Sequence, residues 1–202
     1  MIQGVFGLPR SGKSTYLAKL ARKAIKKGIK VYSNYYIEGC YTLDFSNLGK
    51  YDYSDCLMLI DEISLLADSR DWKDFDSDLK YFITNHGHYN VTLVYCSQSY
   101  QDCDKKIRNC TDSLYYITKL PFGFSRVRLI DKVMGVSEGR MQEVYELSGL
   151  GHFVFRPRYY KYFDSFVRRP LPPNLERPWT PSAEGEPETG SRLAEECELE
   201  QV

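Results

Sequence analysis

The sequence predicts an α/β fold: a central, mostly parallel sheet flanked by helices, plus a peripheral β element. Three observations predict it. Apolar runs at Ile2–Phe6, Cys56–Ile60 and Val91–Cys96 are near-continuous rather than alternating, as in strands covered on both faces. Segments of helical periodicity separate them, most clearly where Leu17, Leu20, Ala21 and Ala24 recur on one face. The polar residues suited to chemistry follow the carboxyl ends of these strands, the edge at which open α/β sheets bind ligands.

In chain order, the strand at 2–6 runs into a Gly/Pro/Ser loop, and a helix follows over Lys13–Lys27, closed by Gly28. Lys30–Tyr36 has the Val/Tyr content of a second strand, and 37–55 is turn-rich. The run at 56–60 ends in Asp61-Glu62. A helix is expected over Asp76–Asn85 with Leu79, Phe82 and Ile83 inward, and the strand at 91–96 ends in Ser97-Gln98. A short helix over Asp104–Arg108 leads to a strand over Ser113–Leu120. After Pro121-Phe122-Gly123, the short runs Arg126–Val133 and His152–Phe155 read as peripheral strands or a hairpin. Pro170, Pro172, Pro173, Pro178 and Pro181 precede a Glu-rich end, so residues 1–169 read as one domain and 170–202 as a disordered tail.

With 202 residues, 43% hydrophobic and 14% aromatic, the chain can bury one full core. Formal charge is zero, but residues 174–202 hold eight Glu against two Arg, leaving 1–173 at +6. That excess permits a polyanionic partner and is equally compatible with ordinary solvated surface. The six Cys include no C-x-x-C pair, which argues against a disulfide framework or zinc site and for a reducing compartment. Met1–Gly7 is too short for a signal peptide before the glycine loop, and no apolar run approaches the ~18 residues of a membrane span.

The loop Gly7-Leu8-Pro9-Arg10-Ser11-Gly12-Lys13-Ser14 satisfies G-x-x-x-x-G-K-S/T, with Thr15 next in the helix. Glycines let successive backbone N–H groups wrap a phosphate while the helix turns its positive end toward it. Lys13 is placed to neutralise β- and γ-phosphate charge, and Ser14 to offer a hydroxyl to magnesium. These residues point to a P-loop NTPase that takes a nucleoside triphosphate, which the family resemblance given below implies is ATP, with Mg2+. Asp61 would hold magnesium through water, and Glu62 would polarise an attacking water. Adjacent acids after a strand are also ordinary turn composition; the phosphate loop tips the reading toward a hydrolytic pair. The Gln98 amide can donate to a γ-phosphate and accept from water, or serve as a plain strand-end residue. Arg108 is a candidate arginine finger across a subunit boundary, or solvated surface. His86 and His88 lack a third ligand at suitable spacing and read as helix-end residues. The Tyr/Arg cluster at 156–162 can stack on single-stranded bases, though half-buried edge packing suits it better.

The phosphate loop, LMLIDEI at 57–63, SRDW at 69–72, NHGHY at 85–89 and SQSYQDCDKKIRN at 97–109 together resemble the zonular occludens toxin (Zot) family. That family groups with filamentous-phage assembly ATPases in the FtsK and HerA class of DNA-pumping motors. The similarity spans roughly residues 1–165 and implies a RecA/FtsK-like core. It also implies an ATPase of phage or prophage origin, working as a ring at the inner face of the bacterial cytoplasmic membrane to export single-stranded phage DNA. Phage assembly or coat proteins and peripheral membrane association are implied partners. The resemblance supports 7–14, Asp61, Glu62, Gln98 and, more weakly, Arg108. YYKYFDSF at 159–166 resembles the stretch that closes the family's ATPase domain. Family members that span the membrane continue into an apolar helix and an outer domain, where this chain has an acidic tail. Two other readings share the loop: a small-molecule or nucleotide kinase, for which no Arg-rich lid is evident, and a nucleotide-gated scaffold with little turnover.

Overall fold

The structure is a computed structural model that describes residues 1–44, 47–63, 77–100, 103, 105–137 and 140–164, with backbone alone at 77–80, 106, 134–137 and 140–143. The SRDW stretch, Asp76, Asp104 and everything from 165, including the expected tail and domain end, lie outside the described residues.

β1 (Ile2–Phe6) leads through the loop into α1 (Lys13–Ile25), followed by β2 (Lys30–Ser33), β3 (Tyr41–Thr42) and β4 (Cys56–Ile60). Then come α2 (Ser77–Asn85), β5 (Thr92–Ser97), α3 (Lys105–Asn109), β6 (Ser113–Lys119), β7 (Phe124–Ser137) and β8 (Arg140–Phe155). All strands join one sheet in the order β3-β2-β4-β5-β1-β6-β7-β8. The first six in that order pair in parallel, and β7 and β8 add antiparallel.

Near-continuous apolarity has its expected cause in a two-sided core. Cys56, Met58 and Ile60 of β4 pack with Phe82 and Ile83 of α2 and Ile107 of α3. Leu57 and Leu59 point the other way, to Leu17, Ala18 and Ala21 of α1. All five β4 residues are buried, and each such aliphatic side chain contributes about 1.5–3 kcal/mol. Among the described residues no helix is long and apolar enough to cross a membrane.

Two expectations need correction. The peripheral element is a continuous ribbon, not the two short runs 126–133 and 152–155: β7 and β8 have 14 and 16 residues. Its hydrophobic alternation is weak, and a register irregularity between Val127 and Leu129 breaks it further. The second strand also stops at Ser33, short of Tyr36, where the Tyr35 N–H turns back to donate to Ser33 Oγ at 3.3 Å instead of to a neighbouring strand.

Candidate functional site

β1, β2, β4 and β5 all end on one edge of the sheet, and the predicted residues follow those ends. β5 lies between β1 and β4. Gln98 is therefore set between the phosphate loop after β1 and the acid pair after β4.

The loop is shaped by left-handed residues. Arg10 has φ 60° and Gly12 φ 106°, on either side of Ser11, a backbone alternation that turns N–H groups into one concavity. Gly12 caps α1 without a side-chain hydrogen bond, and the first turn holds no acid, so the helix N-terminus keeps its positive character. A Cβ on Gly12 would lie 2.7 Å from Ser125 Oγ; one on Gly7 would lie 2.6 Å from the Ile117 carbonyl oxygen. Both glycines are required by space. The Lys13 ammonium donates to the carbonyls of Gly7 (2.8 Å) and Leu8 (3.3 Å), which holds its charge at the loop. A cavity of about 230 Å³ opens here, lined by Arg10, Gly12, Lys13, Ser14 and Thr15 from the loop and helix.

Ser14 Oγ donates to Asp61 Oδ2 at 2.6 Å, joining α1 to the end of β4 across the intervening strand. Burial pushes the Asp61 carboxyl above its ordinary range; the Ser14 hydrogen bond opposes this, the Glu62 charge adds to it, and Lys13 opposes it. A hydroxyl beside a half-buried carboxylate, with few further protein ligands, suits Mg2+, which keeps water and phosphate oxygens in its shell. Glu62 sits at φ 55°, a strained conformation for a non-glycine residue and of a kind that clusters at functional sites. Its carboxylate accepts long hydrogen bonds from Ser97 Oγ and Gln98 Nε2, both at 3.4 Å.

The structure thus brings together Gly7, Gly12, Lys13, Ser14, Thr15, Asp61, Glu62 and Gln98. It does not bring Arg108 to this group. Its guanidinium lies over the Tyr100 ring at 5.1 Å, in a separate cleft with Lys132 and Tyr145. His86 keeps to the end of α2, its Nδ1 2.9 Å from the Ile83 carbonyl oxygen.

Sequence reasoning missed several residues. Asn34 accepts from the Asp61 N–H (2.8 Å) and donates to the Asp61 carbonyl (2.9 Å), fixing the backbone of the acid. The Tyr35 hydroxyl donates to the Ser14 carbonyl at 2.9 Å. Ser125, at the base of the ribbon, donates to the Ser11 carbonyl at 2.6 Å. Arg156, Tyr160 and Phe163 complete the cavity wall, so the 156–162 cluster flanks the phosphate loop instead of merely packing an edge. Its aromatic content was the available signal.

No family model and no curated relative matches the sequence. Among solved structures, the chain is similar to the N-terminal domain of zonular occludens toxin from Neisseria meningitidis, with a TM-score of 0.54 at 14% identity over 81% of this chain and 98% of that one. It is more distantly similar to the genome packaging NTPase of Sulfolobus turreted icosahedral virus 2 in complex with ATP-gammaS (TM-score 0.45, 16% identity, 59% and 76% covered). A third likeness is to the flagellar accessory protein FlaH of Methanocaldococcus jannaschii (0.44, 12%, 73% and 89%). The chain has an α/β P-loop NTPase fold, shared with the Zot N-terminal domain.

Proposed function

We propose that the chain is an ATP-hydrolysing motor of phage or prophage origin, which couples ATP hydrolysis to DNA export and virion assembly. The observation that carries the reading is the 2.6 Å contact from Ser14 to Asp61 beside Glu62 and Gln98, which sets phosphate loop and acid pair at one edge. The loop amides and Lys13 bind the triphosphate, while Ser14, and Asp61 through water, would hold a magnesium ion. That ion, when bound, neutralises phosphate charge. Glu62 takes the proton of the attacking water, and Gln98 orients that water toward the γ-phosphate.

The fold shared with the Zot domain and the motif resemblance favour a ring of subunits in the bacterial host cytoplasm, at the inner face of the membrane. Phage DNA and phage assembly or coat proteins are then its partners. Arg108, set apart from this chain's own nucleotide site, is left out of the hydrolytic set. Phosphate release, measured against protein concentration with and without single-stranded DNA, tests this. The motor predicts turnover that rises with assembly and with DNA, and a Glu62→Gln variant that binds ATP but turns over about 10²–10⁴-fold more slowly. Full-rate hydrolysis by a monomer indifferent to DNA would refute it.

A further inference from the structure

The helices leave part of the sheet open on the α3 side. β6 turns Leu114 and Tyr116 to the layer of α2 and α3, and Tyr115 and Ile117 to that of α1. Strand register carries this alternation outward: Arg128 stands opposite Tyr116 and Arg126 opposite Thr118, while on β8 Phe153 faces Arg126 and Tyr145 faces Lys132. Every second residue from 124 to 132 reads Phe, Arg, Arg, Ile, Lys, with no acid; the alternate positions 125 to 131 read Ser, Val, Leu, Asp. Cations and rings share one face. Phe153 and Tyr145 on that face remain 59% and 40% exposed.

Two details single out this face as an anion site. Among the described residues, the Nε atoms of Arg108 and Arg128 are buried with no hydrogen-bond acceptor. A desolvated cationic donor without an acceptor is unfavourable, and since both side chains keep part of their surface exposed, a phosphate beside them would offset the uncompensated charge. Between α3 and the ribbon lies a cleft of about 590 Å³ lined by Lys105, Arg108, Lys132, Tyr100 and Tyr145. The Tyr100 and Tyr145 rings meet at 5.3 Å, and Arg108 lies over Tyr100. Of the acids there, Asp112 already accepts from the Ile2 N–H at 2.6 Å, and Asp131 is exposed.

We infer that this face binds single-stranded nucleic acid, with phosphates on Arg108, Arg128 and Lys132 and bases stacked on Tyr145 and Phe153. The inference rests on the motor reading and places the polymer on the molecule. Arg128 and Lys132, four residues apart on β7, stand about 13.6 Å apart along the strand, a gap that an extended phosphodiester chain spans in about two nucleotides. The exposed rings of Tyr145 and Phe153 on the neighbouring strand suit unpaired bases, because every base offers a π-face, whereas a duplex hides its own.

The test is fluorescence anisotropy of labelled oligo(dT) with the full chain across a salt series, alongside binding of a fluorescent ATP analogue. Tyr145→Ala should weaken oligo(dT) binding about tenfold. Lys132→Glu, at an exposed position, should weaken it and reduce the salt slope by about 0.7 for each phosphate no longer neutralised. Neither should alter affinity for the nucleotide. Unchanged oligo(dT) affinity in both variants would overturn the inference, as would loss of binding only to anionic phospholipid vesicles. If wild type hydrolyses ATP but ignores oligo(dT), this surface is rejected and the ATPase stands; failure to bind nucleotide rejects the motor reading itself.

Discussion

Asn34→Ala should uncouple nucleotide binding from turnover. Asn34 makes two hydrogen bonds to the backbone of Asp61, at 2.8 and 2.9 Å, and touches neither the phosphate loop nor Lys13 through them. Each such bond contributes about 0.5–1.5 kcal/mol net, so losing both costs about 1–3 kcal/mol. For a chain of this size that is a fall in Tm of several degrees. The catalytic effect should be larger in proportion. Asp61 and Glu62 are successive residues, and a shift of about 1 Å in such groups costs on the order of 10²-fold in rate. Affinity for ATP, dominated by loop amides and Lys13, should stay within about threefold. Thermal melts, fluorescent-nucleotide titration and steady-state phosphate release read the three quantities. Asn34→Asp adds a control, since it keeps the acceptor for the Asp61 N–H but sets a carboxylate oxygen against the Asp61 carbonyl. Wild-type turnover in a destabilised Asn34→Ala chain would refute the reasoning, because the bracket would then be structural alone.

Other expectations follow from the same geometry. Gly12→Ala should abolish nucleotide binding, since its Cβ would meet Ser125 Oγ at 2.7 Å and φ 106° is unfavourable for any L side chain; titration with labelled ATP checks it. Asp61→Asn should stabilise the chain in chelator at neutral pH. The folded state raises the Asp61 pKa, chiefly by burial, so the native state holds its proton more tightly than the unfolded chain and stability falls as pH rises from 3.8 through that raised value. The gain of the variant should therefore be full above the window and vanish below pH 3.8, which denaturant melts across pH can follow.

The parts of the site readable in advance were those encoded locally. The loop at 7–14 announces itself because its mechanism fixes residue types at fixed spacing between a strand and a helix. β1, β4 and β5 were legible because burial on both faces removes polar interruptions. Asn34 was not, because its role depends on β2 lying beside β4, an adjacency that the strand's own composition does not encode. Arg156 and Tyr160 belong to a segment that returns over α1, where Glu38 N–H donates to the Tyr162 carbonyl at 2.8 Å, and only the closed chain sets them against Gly12. The ribbon's length was hidden for a different reason. Two strands exposed on much of both faces need no strict alternation.

The hydrogen bond from Ser125 to the Ser11 carbonyl bears on where this molecule can be divided. Every residue assigned to the nucleotide chemistry falls before position 110, so a fragment ending at the Pro121–Gly123 turn would carry that whole set. It would still lack the hydroxyl that tethers the loop and the arginine and aromatics that wall the cavity. The smallest unit that closes this cavity is therefore larger than its motifs, and the apparent appendage beyond β6 belongs to the body that forms the phosphate-loop site.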